Sequence, residues 1–263
     1  MTHPPSSFRQ RLQAGAPLVG TFLKTPTSHG TEIVGALGFD FVVIDQEHAP
    51  FDRPSTDMAL LAARALNVPA LVRVSGPDAI LSVLDGGATG VLVPHVASAA
   101  QAREIAGLCR YGGGRGFATS TRAGEYTAVP MWRHMDDADA GTVVVAQIED
   151  PAALDEIDAI AAVEGIDALF IGRADLTAAF GDRSSDPAAV REAVERISQA
   201  SRRARKPISV YVGGESEAAW LKALGASMFV VSSDQGFLRQ AAMKALADVR
   251  AALAMPGAPG GGS

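Results

Sequence analysis

Five apolar, β-branched runs in this chain stop abruptly on residues that do chemistry: FVVIDQEH (41–48), ALVRV (70–74), VLVPH (91–95), VVVAQIE (143–149) and LFIGRAD (169–175). Each reads as a short buried strand whose C-terminal end carries His, Arg, Gln, Glu or Asp. Helical segments separate them. Strand ends of this kind, in register and converging on one place, are the layout of an enzyme built on a parallel barrel.

The rest of the chain keeps the same beat. Strand signals at 18–24, 39–47, 69–74, 89–96, 142–149, 166–172, 207–213 and 226–234 are each followed by a helical pattern. The expected fold is therefore α/β, a (β/α)8 TIM barrel forming one domain over residues 1–254. Near-continuous apolar strands are what a parallel sheet buried on both faces requires. The runner-up, a doubly wound open sheet, wants a Gly-rich phosphate turn after the first strand, and GTFLKTPTSHG is not that turn. Helix signals are Gly38 as a C-cap, Ser55 or Thr56 as an N-cap, Pro77 in a first turn and Asp186-Pro187 as a start. From the Gly-rich GGGRGFATSTRAGEY to residue 141 no strand is visible, and so long an interval reads as a lid or an interface element. Tyr111, Tyr126 and MWRHM (131–135), with His134, mark it as packed on something. The tail MPGAPGGGS (255–263) reads as flexible.

Composition sets the outer limits. With 263 residues, 48% hydrophobic and 20% charged, the chain has material for a large core. A net charge of −6 and a single basic cluster, RRARK (202–206), argue against a nucleic-acid partner. No apolar run is long enough to span a bilayer, and the N-terminal MTHPPSSFRQRLQAG lacks the apolar core of a signal peptide. The one cysteine, Cys109, forms no internal disulfide, so a reducing cytoplasm is the expected setting. Beside Leu108 in a helical pattern, it reads as a buried inert thiol.

The strand ends supply the candidate chemistry. Asp45 and Glu47 beside His48 can orient an imidazole or hold a cation and its surroundings. Arg73, between Val72 and Val74, needs a partner, because an unpaired buried charge is costly. It is either an ion pair with a neighbouring strand's carboxylate or a clamp for a substrate oxygen, and both readings stand. Gln147 and Glu149 share one face of their strand and, with Asp175, resemble an octahedral oxygen site for Mg²⁺ or Mn²⁺. Asp175 can equally serve as a helix cap. His29 and His95 read as satisfied structural histidines. Arg115 and Arg122 are placed to reach a substrate or a neighbouring subunit. Lys24 ends the first strand and keeps a Schiff-base mechanism in view. Asp85, inside an apolar helical stretch, has no role by itself.

In this order, GFDFVVIDQEHAPFD, PALVRV, ATGVLVPHV, AQIED, VEGIDALFIGRADLT and GASMFVVSSD resemble the HpcH/HpaI family of class II pyruvate aldolases, within the pyruvate/phosphoenolpyruvate barrel superfamily. The resemblance covers about residues 10–245. It implies a lyase joining and cleaving pyruvate or hydroxypyruvate and an aldehyde through a metal-stabilised enolate, with Mg²⁺, Mn²⁺ or Co²⁺ as cofactor. It implies Glu149 and Asp175 as metal ligands, Arg73 on the enolate oxygen, and His48 as acid/base paired with Asp85. Gln147 is implied beside the metal, and the turn through Gly172, Ala174 and Asp175 on the pyruvate carboxylate. It also implies a hexamer, a trimer of dimers, with the last helix packed on a neighbour. Phe22 and Tyr211 fall where an acceptor pocket is expected. Two departures stand out: Arg173 replaces a usual proline and is expected to be a mobile cation at the metal loop, and RYGGGRG (110–116) shortens the loop expected to close the acceptor pocket. The competing functions are a CoA-thioester lyase like the citrate-lyase relatives of this barrel, and a barrel that binds an oxo-acid without turning it over.

Overall fold

The computed structural model describes residues 5–254 apart from 182, 185 and 186. Eight parallel strands close into a ring in chain order: β1 (Leu18–Leu23), β2 (Phe41–Asp45), β3 (Ala70–Arg73), β4 (Gly90–Val93), β5 (Val143–Ile148), β6 (Ala168–Ile171), β7 (Ile208–Val212) and β8 (Ala226–Ser233), which pairs back onto β1. The α-helices among the described residues are α1 (Pro5–Gln13), α2 (Ser28–Gly35), α3 (Arg53–Ala65), α4 (Ile80–Asp85), α5 (Ala99–Leu108), α6 (Met131–Gly141), α7 (Ile157–Ala161), α8 (Arg173–Phe180), α9 (Ala188–Arg203), α10 (Glu215–Ala223) and α11 (Asp234–Ala254). The expected (β/α)8 barrel is the fold observed.

Alternation along each strand accounts for runs that are apolar throughout. Leu18, Phe41, Val43, Leu71, Leu92, Val145, Met228 and Val230 fill the ring. Their neighbours Val42, Ile44, Val72, Val91, Val93, Val144, Leu169 and Ile171 pack under the helices. Both faces are buried, so neither admits a polar alternation. At the end where the strands begin, α1 acts as a plug. Phe8 and Leu12 join the interior cluster, the Phe8 ring lies 5.7 Å from that of Phe41, and Arg9 Nε donates to Asp167 Oδ1 at 2.8 Å. The opposite end, where the strands stop on polar residues, stays open.

Local capping differs in places from the expectation. The N-cap of α3 is Asp52, whose carboxylate accepts from the Ser55 N–H while the Ser55 hydroxyl accepts from the Asp52 N–H, so Ser55 closes a capping box. Pro77 lies in a 3-10 turn ahead of α4. Helix α2 ends at Gly35, and Gly38 takes up the reversal at φ 90°. Pro187 precedes α9, while Asp186 and the 255–263 tail lie outside the described residues.

At the open end, Asp234 accepts the Lys24 and Thr25 backbone N–H groups at 2.8 and 3.0 Å, tying the start of α11 to β1. Farther along, α11 leaves the barrel and exposes Leu238, Met243, Leu246, Val249 and Leu253. Among the described residues no helix is long and apolar enough to cross a membrane. Cys109 is fully buried, and burial pushes its thiol up to about 12. A thiol reagent such as 5,5′-dithiobis(2-nitrobenzoic acid) at pH 8 is therefore expected to leave Cys109 unmodified in the folded protein and to react within minutes in urea. Rapid labelling without denaturant would contradict this placement.

Candidate active site

β2 and β3 pair with Asp45 directly opposite Arg73. The guanidinium forks onto the carboxylate, Nε to Oδ1 at 2.9 Å and Nη2 to Oδ2 at 2.7 Å. Lys24 Nζ adds a contact to Oδ2 at 3.2 Å. Burial alone would raise the Asp45 carboxyl. The hydrogen bonds and charge of Arg73, the His48 N–H and Lys24 outweigh it and hold the group below the ordinary aspartate range. Arg73 is thus an ion pair, as one of the two sequence readings required. It also borders the open cleft, with Nη1 3.3 Å from Glu47 Oε2 and the Phe22 ring 4.8 Å beneath its guanidinium carbon. Asp45 engages only two of the nitrogens, so donors remain for a ligand.

The strand stops at Asp45, and the same carboxylate turns the chain by accepting the N–H groups of Glu47 and His48 at 3.2 and 3.1 Å. His48 is thereby presented to the cleft, half-exposed, with Nε2 3.7 Å from Glu47 Oε2. Asp85 is not beside it. Because α4 runs back along the barrel, its last residue emerges at the strand-start end, where Asp85 pairs with Arg115 at 3.2 Å. The His48–Asp85 pairing implied by the resemblance is absent within this chain.

β5 delivers Gln147 and Glu149, and β6 leads directly into α8. Glu149 is 2% exposed. Its Oε2 accepts from Gln147 Nε2, and its Oε1 accepts the His95 N–H at 2.9 Å. Burial pushes the Glu149 carboxyl up, and the charge of Asp175 adds to the rise against those two hydrogen bonds. Gly172 stands so close that a Cβ there would lie 2.5 Å from the Glu149 Cβ and 2.7 Å from Oε2. Gly172 is also the N-cap of α8 and makes no side-chain cap, so the first N–H groups of α8 are left uncapped at a helix start whose residues 172–175 line the cleft. Asp175 sits inside the first turn rather than capping it. A buried carboxylate with a raised pKa, a second carboxylate near it and a buried Gln147 Oε1 without a hydrogen-bond partner form an under-satisfied oxygen centre. That donor set fits a hard divalent cation.

One cleft of about 880 Å³ joins these pieces, lined by Phe22, His48, Arg73, Gln147, the 172–175 turn and Tyr211. Arg173 is paired rather than free: Nη1 meets Glu217 Oε1 at 2.6 Å and Nη2 donates to the Tyr211 carbonyl at 3.0 Å, which ties the α8 turn to the end of β7. The RYGGGRG loop does not close this cleft within the chain. Arg110 Nη2 donates to the Thr142 carbonyl just before β5, so the loop lies at the strand-start end. There Arg115 and Arg122 line a second cavity of about 830 Å³, and Tyr111 O–H meets His134 Nε2 at 2.9 Å.

His95 is the residue that the sequence undervalued. It is not a sequestered structural histidine. Its side chain is 60% exposed at the mouth, with Nδ1 3.2 Å from Asp150 Oδ2 and Nε2 3.6 Å from Glu47 Oε1. Partial burial would lower its pKa, but Glu149, Asp150 and Glu47 together raise it. Its position directly after VLVP was the available signal.

Known proteins share this arrangement of chain. The protein is 34% identical over 257 residues to the hydroxypyruvate/pyruvate aldolase of Delftia acidovorans, covering 95% of each chain. It is 33% identical to the 5-keto-4-deoxy-D-glucarate aldolase of Klebsiella pneumoniae, covering 93% of this chain and 96% of that one. A crystal structure of a HpcH/HpaI aldolase/citrate lyase family protein from Burkholderia cenocepacia superposes with a TM-score of 0.87 at 30% identity, covering 93% and 99% of the two chains. A family model described as HpcH/HpaI aldolase/citrate lyase matches residues 18–241, so the chain belongs to that family.

Proposed function

We propose that this protein is a class II aldolase, a carbon–carbon lyase that reversibly joins pyruvate or a related 2-oxo acid such as hydroxypyruvate to an aldehyde. One observation carries the reading: Arg73, His48, Gln147 and the uncapped start of α8 border a single cleft beside Glu149 and Asp175. The names of the aldolase relatives support the same reaction class.

Each group then has a job. The uncapped N–H groups of Arg173, Ala174 and Asp175 take the carboxylate of the oxo-acid, as helix starts do. Arg73 points its remaining donors at the C2 oxygen, where negative charge grows as the enolate forms. In cleavage, the His48 imidazole takes the proton of the C4 hydroxyl, the C3–C4 bond breaks, and its electrons move onto the C2 oxygen. The aldehyde leaves, and the proton held on the His48 imidazolium is passed, directly or through water, to C3 of the enolate, which restores the neutral imidazole. Glu149 and Asp175 would hold a divalent ion (Mg²⁺, Mn²⁺ or Co²⁺), which supplies Lewis-acid stabilisation of the enolate charge. Lys24 is committed to Asp45 at 3.2 Å, which favours this route over a Schiff base. Phe22 and Tyr211 line the cleft and would form its acceptor side. The exposed apolar face of α11 supports assembly with further copies, in the hexamer that the resemblance implies. A cytoplasmic setting accords with the single buried thiol.

The test uses pyruvate in D₂O. The metal-loaded protein should exchange the methyl protons, chelation should stop the exchange, and readdition of Mg²⁺ or Mn²⁺ should restore it. His48→Ala should slow exchange by about 10²–10⁴-fold while Mn²⁺ binding persists. Exchange that survives exhaustive chelation, with borohydride trapping pyruvate on Lys24, would overturn the metal-dependent reading.

A further inference from the structure

The two oxygens of Glu149 face different surroundings. Oε2 lies beside Gln147 and Gly172. Oε1 takes the His95 backbone N–H and stands 3.4 Å from the His95 Nδ1. Across the ring, Nε2 stands 3.6 Å from Glu47 Oε1. One ligand atom each from Glu47, His95 and Glu149 fall within 4.8 Å of one another. Three ligands of one first-row ion, each at about 2.0–2.2 Å from it, are spaced by up to about 4.4 Å, so small side-chain movements close the set.

One detail separates this cluster from a patch of surface acids. His95 carries an orienting partner: Asp150 lies 3.2 Å from Nδ1, which leaves Nε2 as the free lone pair on the Glu47 side. A carboxylate behind a metal-bound imidazole fixes its tautomer and raises its basicity.

We propose that Glu47, His95 and Glu149 form a nitrogen–oxygen position for a borderline divalent transition ion, on the opposite edge of the Glu149 carboxylate from Gly172. The position rests on the metal-dependent reading above and deepens it. An imidazole nitrogen favours Co²⁺, Ni²⁺ or Zn²⁺, whereas Mg²⁺ is served by the carboxylates of Glu149 and Asp175 without His95. The identity of residue 95 then decides which ion this chain prefers.

The discriminating variant is His95→Asn. The backbone at residue 95 has φ 55°, which asparagine adopts more readily than most residues, and the N–H held by Glu149 is retained. Calorimetric titration of metal-stripped, full-length protein should show Co²⁺ binding at least about tenfold weaker in His95→Asn, with Mg²⁺ affinity within about twofold of wild type. Equal Co²⁺ affinity in the two proteins would overturn the position while leaving the Mg²⁺-dependent aldolase reading intact. Failure of the wild type to bind either ion would overturn both. Should the variant not fold, ¹⁵N-histidine-labelled wild type answers the question: Zn²⁺ should shift the His95 ring-nitrogen resonance, and an unshifted resonance under saturating Zn²⁺ rejects the ligand role.

Discussion

Arg73→Ala is expected to lower kcat/KM for aldol cleavage by about 10²–10³-fold, the loss typical of a donor aimed at a developing oxyanion. The fold should suffer as well. Asp45 has no solvent exposure, and the variant leaves it with Lys24 as its remaining cationic contact. Breaking one side of a buried pair costs about 3–5 kcal/mol. The pH dependence gives a further check. In the wild type the Asp45 pKa is held below its ordinary value of 3.8, so the stability it contributes is present at neutral pH and is lost as pH falls through that lowered value. In the variant, burial dominates and the folded-state pKa rises above that of the unfolded chain. The deficit should then be largest at neutral pH and shrink on acidification. Urea unfolding of both proteins from pH 7 to pH 4 measures the difference, and a deficit that grows in acid contradicts the assignment. Arg73→Lys separates the two jobs, because it keeps a charge near Asp45 but loses the fork.

Gly172→Ala should damage the site through one methyl group. The added Cβ would meet the Glu149 Cβ and Oε2, and neither can step aside freely. The first belongs to a residue anchored at the end of β5, and the second is held with Gln147. Overpacking of this kind costs about 1–3 kcal/mol. The larger effect should fall on the metal, where disturbing a ligand's surroundings typically costs about 10–100-fold in affinity. Mn²⁺ titration followed by electron paramagnetic resonance reads it directly. Unchanged Mn²⁺ affinity in Gly172→Ala would remove Glu149 from the ligand set.

The barrel was legible because its strands are buried on both faces, which leaves period and length as clean signals. The strand-end residues were legible for the same reason: a charge such as Arg73 between two valines, or Glu149 after VVVAQI, is too costly to bury without a partner or a ligand. What was not legible depended on direction rather than type. Asp85 carries the right chemistry, but a helix six residues long takes it to the other end of the barrel. The Gly-rich loop follows α5 to that same end. Arg173 looked mobile because its partners, Glu217 and the Tyr211 carbonyl, lie 38 or more positions away. His95 is a lone histidine after a strand, and its strand-end position signals the open end of the barrel without telling that Glu47, Glu149 and Asp150 surround it there.

The Asp45–Arg73 contact also bears on how the ring closes. The two residues face each other across adjacent strands. Sliding β3 by one position would set a valine, Val72 or Val74, against a buried aspartate and swing the guanidinium to the helix side. A closed eight-stranded ring has one stagger, and an error at any seam must be absorbed by all the others. The charge pair that borders the substrate cleft therefore doubles as an alignment key for assembly, and chains with a slipped seam would be selected against before they ever reached a substrate.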